Sequence, residues 1–152
     1  MRLYTFGNYY LSSIQQGIQA AHVVAELFTK YTNELRDTHT PDGVLYEWAM
    51  HHKTMVCLNG GNNSGLAELS DRLFILGNAL GLPFEEFRED VDSLGGVLTC
   101  CGIVVPAKIY EAAQAVRGLD AVSAEIVAEQ AGLIQVAELE LAKLLNIYGL
   151  AG

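Results

Sequence analysis

The sequence predicts an α/β fold: one domain, 1–152, with a small four-stranded mixed sheet flanked by helices and a helical extension over 118–152. Three observations lead there. Four short runs are strand-like in composition, and segments with helical periodicity lie between and after them. Turn-forming residues punctuate the joins. The chain has 152 residues, 51% of them hydrophobic, so it is about one domain long with enough apolar surface for a sizeable core.

"RLYTF" (2–6) is short, aromatic and β-rich, and reads as the first strand; "GNYY" follows as a turn. Ser12 or Ser13 then caps a helix by accepting from backbone N–H groups two or three residues on. That helix runs to about Tyr31, and Ile14, Ile18, Ala21, Ala25 and Phe28, at three- and four-residue steps, form its expected core stripe. "TNELRDTHTPDG" reads as a polar loop and "VLYEWAMHH" as a short helix. "TMVCLN" (54–59) is almost continuously apolar, which predicts a strand buried on both faces. "GGNNSG" is a turn-rich loop, and "LAELSDRLFILGNAL" is an amphipathic helix stopped by Gly81 and Pro83. "FEEFRED" is assigned to an edge strand, "DSLGG" to a loop, and "GVLTCCGIVV" (96–105) to the most strand-like segment of the chain. Pro106 suits a first helical position. Residues 123–148 are helical by period and alanine content, and "RGLD" (117–120) is the weakest join.

Composition narrows the function classes. The net charge is −9, from nine Lys plus Arg against eighteen Asp plus Glu, and the cations are scattered. An extended nucleic acid is bound by neutralising many phosphates, so this balance favours a small ligand or a protein partner. No stretch is long and apolar enough for a membrane span. "MRLYTFGNYY" has no signal-peptide core, and cytoplasmic residence is the expectation. Cys57, Cys100 and Cys101 lie in apolar runs and read as buried thiols; the paired spacing of a zinc site is missing, so neither metal nor cofactor is expected.

The start of the first helix is unusual. From Leu11 it carries Ser12, Ser13, Gln15, Gln16 and Gln19, with no charge before Glu26. Hydroxyls and spare N–H groups at a helix N-terminus suit a phosphate, and a tyrosine beside it, such as Tyr9, can stack on a base. "NGGNNSG" (59–65) joins a strand to a helix as a phosphate-binding loop does, but lacks the Gly-Lys-Ser/Thr ending. No nucleophile stands in a recognisable triad.

"QAAHVV", with Gln19 and His22, resembles the Gln-x-x-His segment on the first helix of the type 2 peptidyl-tRNA hydrolases. "KTMVCLN", "LAELSDRLFILGNALGLPFEEFRED" and "GGVLTCCGIVVP" are similar in order and spacing to that family's following strand, helix and Asp-ending loop, and to its Gly-x-x-Thr strand closing near a proline. The resemblance covers roughly residues 2–110. The family's first loop and helix read approximately Asp-Leu-x-Met-x-x-Gly-Lys-x-x-x-Gln-x-x-His. Aligned on Gln19 and His22, this chain has Asn8, Leu11, Ile14 and Gln15 in place of Asp, Met, Gly and Lys. The family's Asp-Ala-Gly-x-Thr loop corresponds to "EDVDSLGG", where Asp90 or Asp92 stands for the Asp.

Ester hydrolysis needs a positioned water and a group that stabilises the oxyanion. With Gln15 in place of lysine, the resemblance implies a site that holds rather than cuts, with no catalytic residue. Folds of this family without the lysine look similar to phage proteins that sequester cyclic dinucleotide immune signals. The expectation is therefore a non-catalytic protein that binds a small nucleotide through Asn8, Tyr9, Ser12, Ser13, Gln15, Gln19, His22 and Asp92. A homodimer suits a symmetric ligand. The alternatives are an active peptidyl-tRNA hydrolase and a protein-binding module built on the C-terminal helices.

Overall fold

The computed structural model describes residues 1–31 and 39–152. The fold is α/β, around a four-stranded mixed sheet of order β2-β1-β4-β3. The elements are β1 (Arg2–Gly7), α1 (Ser13–Lys30), α2 (Pro41–Glu47), β2 (Met55–Asn59), α3 (Asn63–Leu80), β3 (Phe84–Arg88), the single turn α4 (Val91–Leu94), β4 (Leu98–Val105), α5 (Ala107–Val116), α6 (Ala121–Gln130) and α7 (Val136–Leu145). β1 is parallel to β2 and antiparallel to β4, which is antiparallel to β3. No helix among the described residues is long and apolar enough to cross a membrane.

β4 is buried along all eight residues, as expected of a central strand with helices on both faces. The equally apolar β2 departs from its prediction. It lies on the sheet edge, with Met55 40% exposed and Val56 and Cys57 half-buried, because composition does not reveal which strand lacks an outer neighbour. The chain end covers part of that edge: Asn59 N–H donates to Gly149 O and Ala151 N–H to Cys57 O, both at 2.9 Å.

A Cβ on Gly102 would come 2.9 Å from Val23 Cγ1 and 3.3 Å from Thr5 Cγ2, so α1 packs against the face that carries Thr5. A Cβ on Gly60 would come 2.6 Å from Leu66 Cδ1 and 3.2 Å from Phe6 Cβ, so α3 packs on the opposite face, since neighbouring strand residues alternate. Leu66, Leu69, Leu73 and Leu76 form the buried stripe of α3. Burying each such side chain is worth roughly 1.5–3 kcal/mol. On the same side α7 packs against α3 and α5, with Leu141 and Leu144 in the core. Glu138, at 3% exposure, accepts from the N–H groups of Ile134 and Gln135 at 2.9 Å and from Lys108 Nζ at 2.6 Å. Burial opposes its ionisation, yet these donors hold its carboxyl below the usual range.

α1 reverses the predicted core stripe. Ile14, Ile18 and Phe28 are 77%, 49% and 40% exposed, and Ala21 and Ala25 are also on the surface. The buried face is Gln16, Gln19, Ala20, Val23 and Leu27. The predicted loop before the second helix lies partly outside the described residues, at 32–38. Its end is helical, because Thr40 caps α2 by accepting from Gly43 N–H and Pro41 opens the first turn. A π turn, Trp48–His52, continues α2 and leaves Lys53 in the left-handed region at φ 57°.

Candidate functional site

β1 and β2 end side by side, at Gly7 and Asn59. α1 leaves over one face of the sheet and α3 over the other. In open α/β sheets this divergence opens a crevice beyond the carboxyl ends of the strands, where ligands bind.

Asn8 is the hub of that end. Its side chain is wholly buried. Its N–H donates to Thr99 O at 2.9 Å, and its carbonyl accepts from Leu11 N–H at 3.2 Å and Gln16 Nε2 at 3.1 Å. Gln16 reaches it only because residue 7 is glycine: a Cβ there would overlap Gln16 Oε1. Asn8 Nδ2 donates to Asn63 Oδ1, in the first turn of α3, at 2.6 Å. Asn8 Oδ1 is buried with no hydrogen-bond partner among the described residues. An unmade bond of this kind costs on the order of 1–3 kcal/mol.

A second amide is locked beside this hub. Thr99 Oγ1 donates to Gln19 Oε1 at 2.8 Å, with a longer contact of 3.4 Å to Phe87 O, while Gln19 Nε2 donates to Glu89 Oε1 at 2.6 Å. These bonds join α1 to β3 and β4 and explain why Gln19 is buried. One turn along α1, the exposed His22 stacks its ring on Phe87 with centroids 4.2 Å apart and planes 9° from parallel.

The remaining sequence candidates are spread around this cluster. Ser12 and Gln15 form a capping box: Gln15 N–H donates to Ser12 Oγ at 3.3 Å and Ser12 N–H to Gln15 Oε1 at 2.9 Å. The Gln15 amide therefore closes the first turn of α1. Ser13 is exposed beside it. Tyr9 and Tyr10 stand out at 61% and 49% exposure, edge to face, with Tyr9 N–H tied to Gly61 O at 2.9 Å. Asp92 is exposed in α4, where its N–H donates to Asp90 Oδ1 at 3.2 Å. The structure thus joins Asn8 and Gln19 through Thr99, sets His22 one turn along α1 from Gln19, and leaves Tyr9, Ser12, Ser13, Gln15 and Asp92 exposed.

Sequence reasoning did not assign Gln16, Asn63, Glu89 or Thr99 to this site. Thr99 carried a signal in the spacing Gly96-x-x-Thr99. The other three take their place from contacts across 8 to 70 positions.

The chemistry offered is hydrogen bonding without strong charge. No Lys or Arg belongs to the cluster, and Arg88, beside Glu89 in sequence, is turned to Glu86 at 2.9 Å. Cys100, paired with Gly7 across the strands, has its thiol pushed up to about 12 by burial and the neighbouring Cys57. Such a thiol supplies no thiolate at neutral pH. The sequence matches no protein-family model and no curated protein.

Proposed function

We propose that the chain binds a small nucleotide at the carboxyl ends of β1 and β2 without cleaving it, in the manner of a cytoplasmic protein that sequesters a cyclic dinucleotide signal. The observation that carries this reading is the pair of exposed rings, Tyr9 and Tyr10, where β1 ends and the N-termini of α1 and α3 diverge. The exposed rings of Tyr9 and Tyr10 offer stacking surface, and the N-termini of α1 and α3 offer N–H groups to phosphate. Hydrolysis is disfavoured because Gln15, at the family's lysine position, is engaged in a cap and the cluster holds no cation for an oxyanion.

A homodimer belongs to the same reading. Ile14, Ile18, Ala21, Ala25 and Phe28 run along the exposed side of α1 at heptad spacing. No charged residue interrupts them. Two chains of net charge −9 repel over most of their surfaces, so a neutral apolar stripe starting beside the site is where they meet. A two-fold crossing at Ala21 sets Ile14 of one copy against Phe28 of the other.

The test is to incubate the purified chain with cyclic di-AMP or cyclic di-GMP, remove free ligand, heat-denature, and identify what is released. Intact dinucleotide from the natural chain, and at least tenfold less from Tyr9→Ala, is the expected result. Release of cleaved ligand, or no retention at tens of micromolar, overturns it.

A further inference from the structure

Along β1 and β2 a cavity of about 400 Å³ lies between the sheet and helices α5 and α7. Arg2, Tyr4, Tyr110, Arg117, Asn146 and Tyr148 line it, over a floor that includes Leu58. Its lining holds two arginines and no aspartate or glutamate, in a chain where acids outnumber Lys plus Arg eighteen to nine. Neither arginine is ion-paired among the described residues. The Arg2 guanidinium lies 4.1 Å over the centroid of the Tyr110 ring. Arg117 Nε donates to Asn146 Oδ1 at 3.3 Å, and Asn146 is itself fixed by donating from Nδ2 to Ala113 O at 2.7 Å. Tyr148 is held edge-on to Phe6 at 5.4 Å.

We infer that this cavity is a second ligand site, for a small organic phosphate that carries a flat ring. Two guanidiniums from separate elements, with unused N–H groups, match the several oxygens of a phosphomonoester. The tyrosine rings and aliphatic floor match the organic part. The volume falls within the range of roughly 300–1,000 Å³ that encloses small ligands. The cavity is distinct from the Asn8 cluster: the two share no residue, and Tyr4, Val56 and Leu58 of the lining lie on the sheet face opposite to α1, while Arg2 and Asn8 are six positions apart, about 20 Å at roughly 3.3 Å per strand residue. The inference therefore stands independently of the function proposed there.

Titrating the full, ¹⁵N-labelled chain with AMP, adenosine and inorganic phosphate tests it. AMP should shift the amides of Arg2, Leu58, Asn146 and Gly149 to saturation at millimolar concentration or below. Inorganic phosphate should move the same amides more weakly, and adenosine should leave them in place. Arg117→Gln, at an exposed position, should weaken AMP at least tenfold with the spectrum otherwise unchanged, and Asn8→Ala should leave this binding intact. Adenosine binding as well as AMP, unaltered AMP binding by Arg117→Gln, shifts confined to the Asn8 end, or no saturation with AMP would each overturn the inference.

Discussion

α1 and α3 occupy equivalent places and sort their side chains in opposite ways. Each is 18 residues long, follows one of the two parallel strands, opens on a side-chain cap and packs on one face of the sheet. α3 buries four leucines and a serine, although Phe74 and Ile75 remain outside. α1 buries two glutamines and leaves two isoleucines and a phenylalanine exposed. A helix whose only task is to cover a sheet gains from apolar burial. The first turns of α1 instead place hydrogen-bonding groups at a strand end and leave apolar groups on the surface.

The largest effect separating the two helices belongs to α3. Leu73 is fully buried, so Leu73→Ala loses both transfer energy and packing, about 2–5 kcal/mol in urea denaturation. Gln19→Leu is the matching change in α1. It removes the partner of the Thr99 hydroxyl and of one Glu89 oxygen, and a loss on the order of 1–3 kcal/mol is expected. If Gln19→Leu costs more than Leu73→Ala, the polar network is the main anchor of the fold and the contrast is reversed. If it stabilises the chain, the buried amide is a burden on folding, and the case for a role in binding is stronger.

The same contrast explains what was legible in the sequence. The order of strands and helices follows from local patterns of apolar residues and turns, and so does the edge placement of β3. The inward face of α1 does not. Its isoleucines and alanines have the spacing of a core stripe, and only Thr99 and Glu89, 80 and 70 positions away from Gln19, turn the glutamine side inward. β2 departs from its expected burial for a related reason, since an apolar run does not show whether a neighbouring strand lies beyond it. Asn8 was reached through a resemblance of motif. Its unpaired oxygen depends on how Asn63 and Gln16 converge and has no counterpart in residue order.

The smallest effect on folding lies on the outer face of α1, and there stability and association should come apart. Ile18 is 49% exposed, and its side chain points away from the sheet that Gln16, Gln19 and Val23 face. Ile18→Glu removes little buried area, so monomer stability should change by no more than about 0.5 kcal/mol. In a two-fold crossing at Ala21, however, the substitution places a carboxylate from each copy in one apolar seam, where charge is costly without a partner. Sedimentation at matched concentrations should find the natural chain dimeric and Ile18→Glu monomeric, with denaturation in dilute solution nearly unchanged. A natural chain that is already monomeric, or a variant that still dimerises, would remove this stripe as the contact between copies. A large loss of monomer stability would mean that α1 rests on its apolar side after all, and the opposition between the two helices would fail.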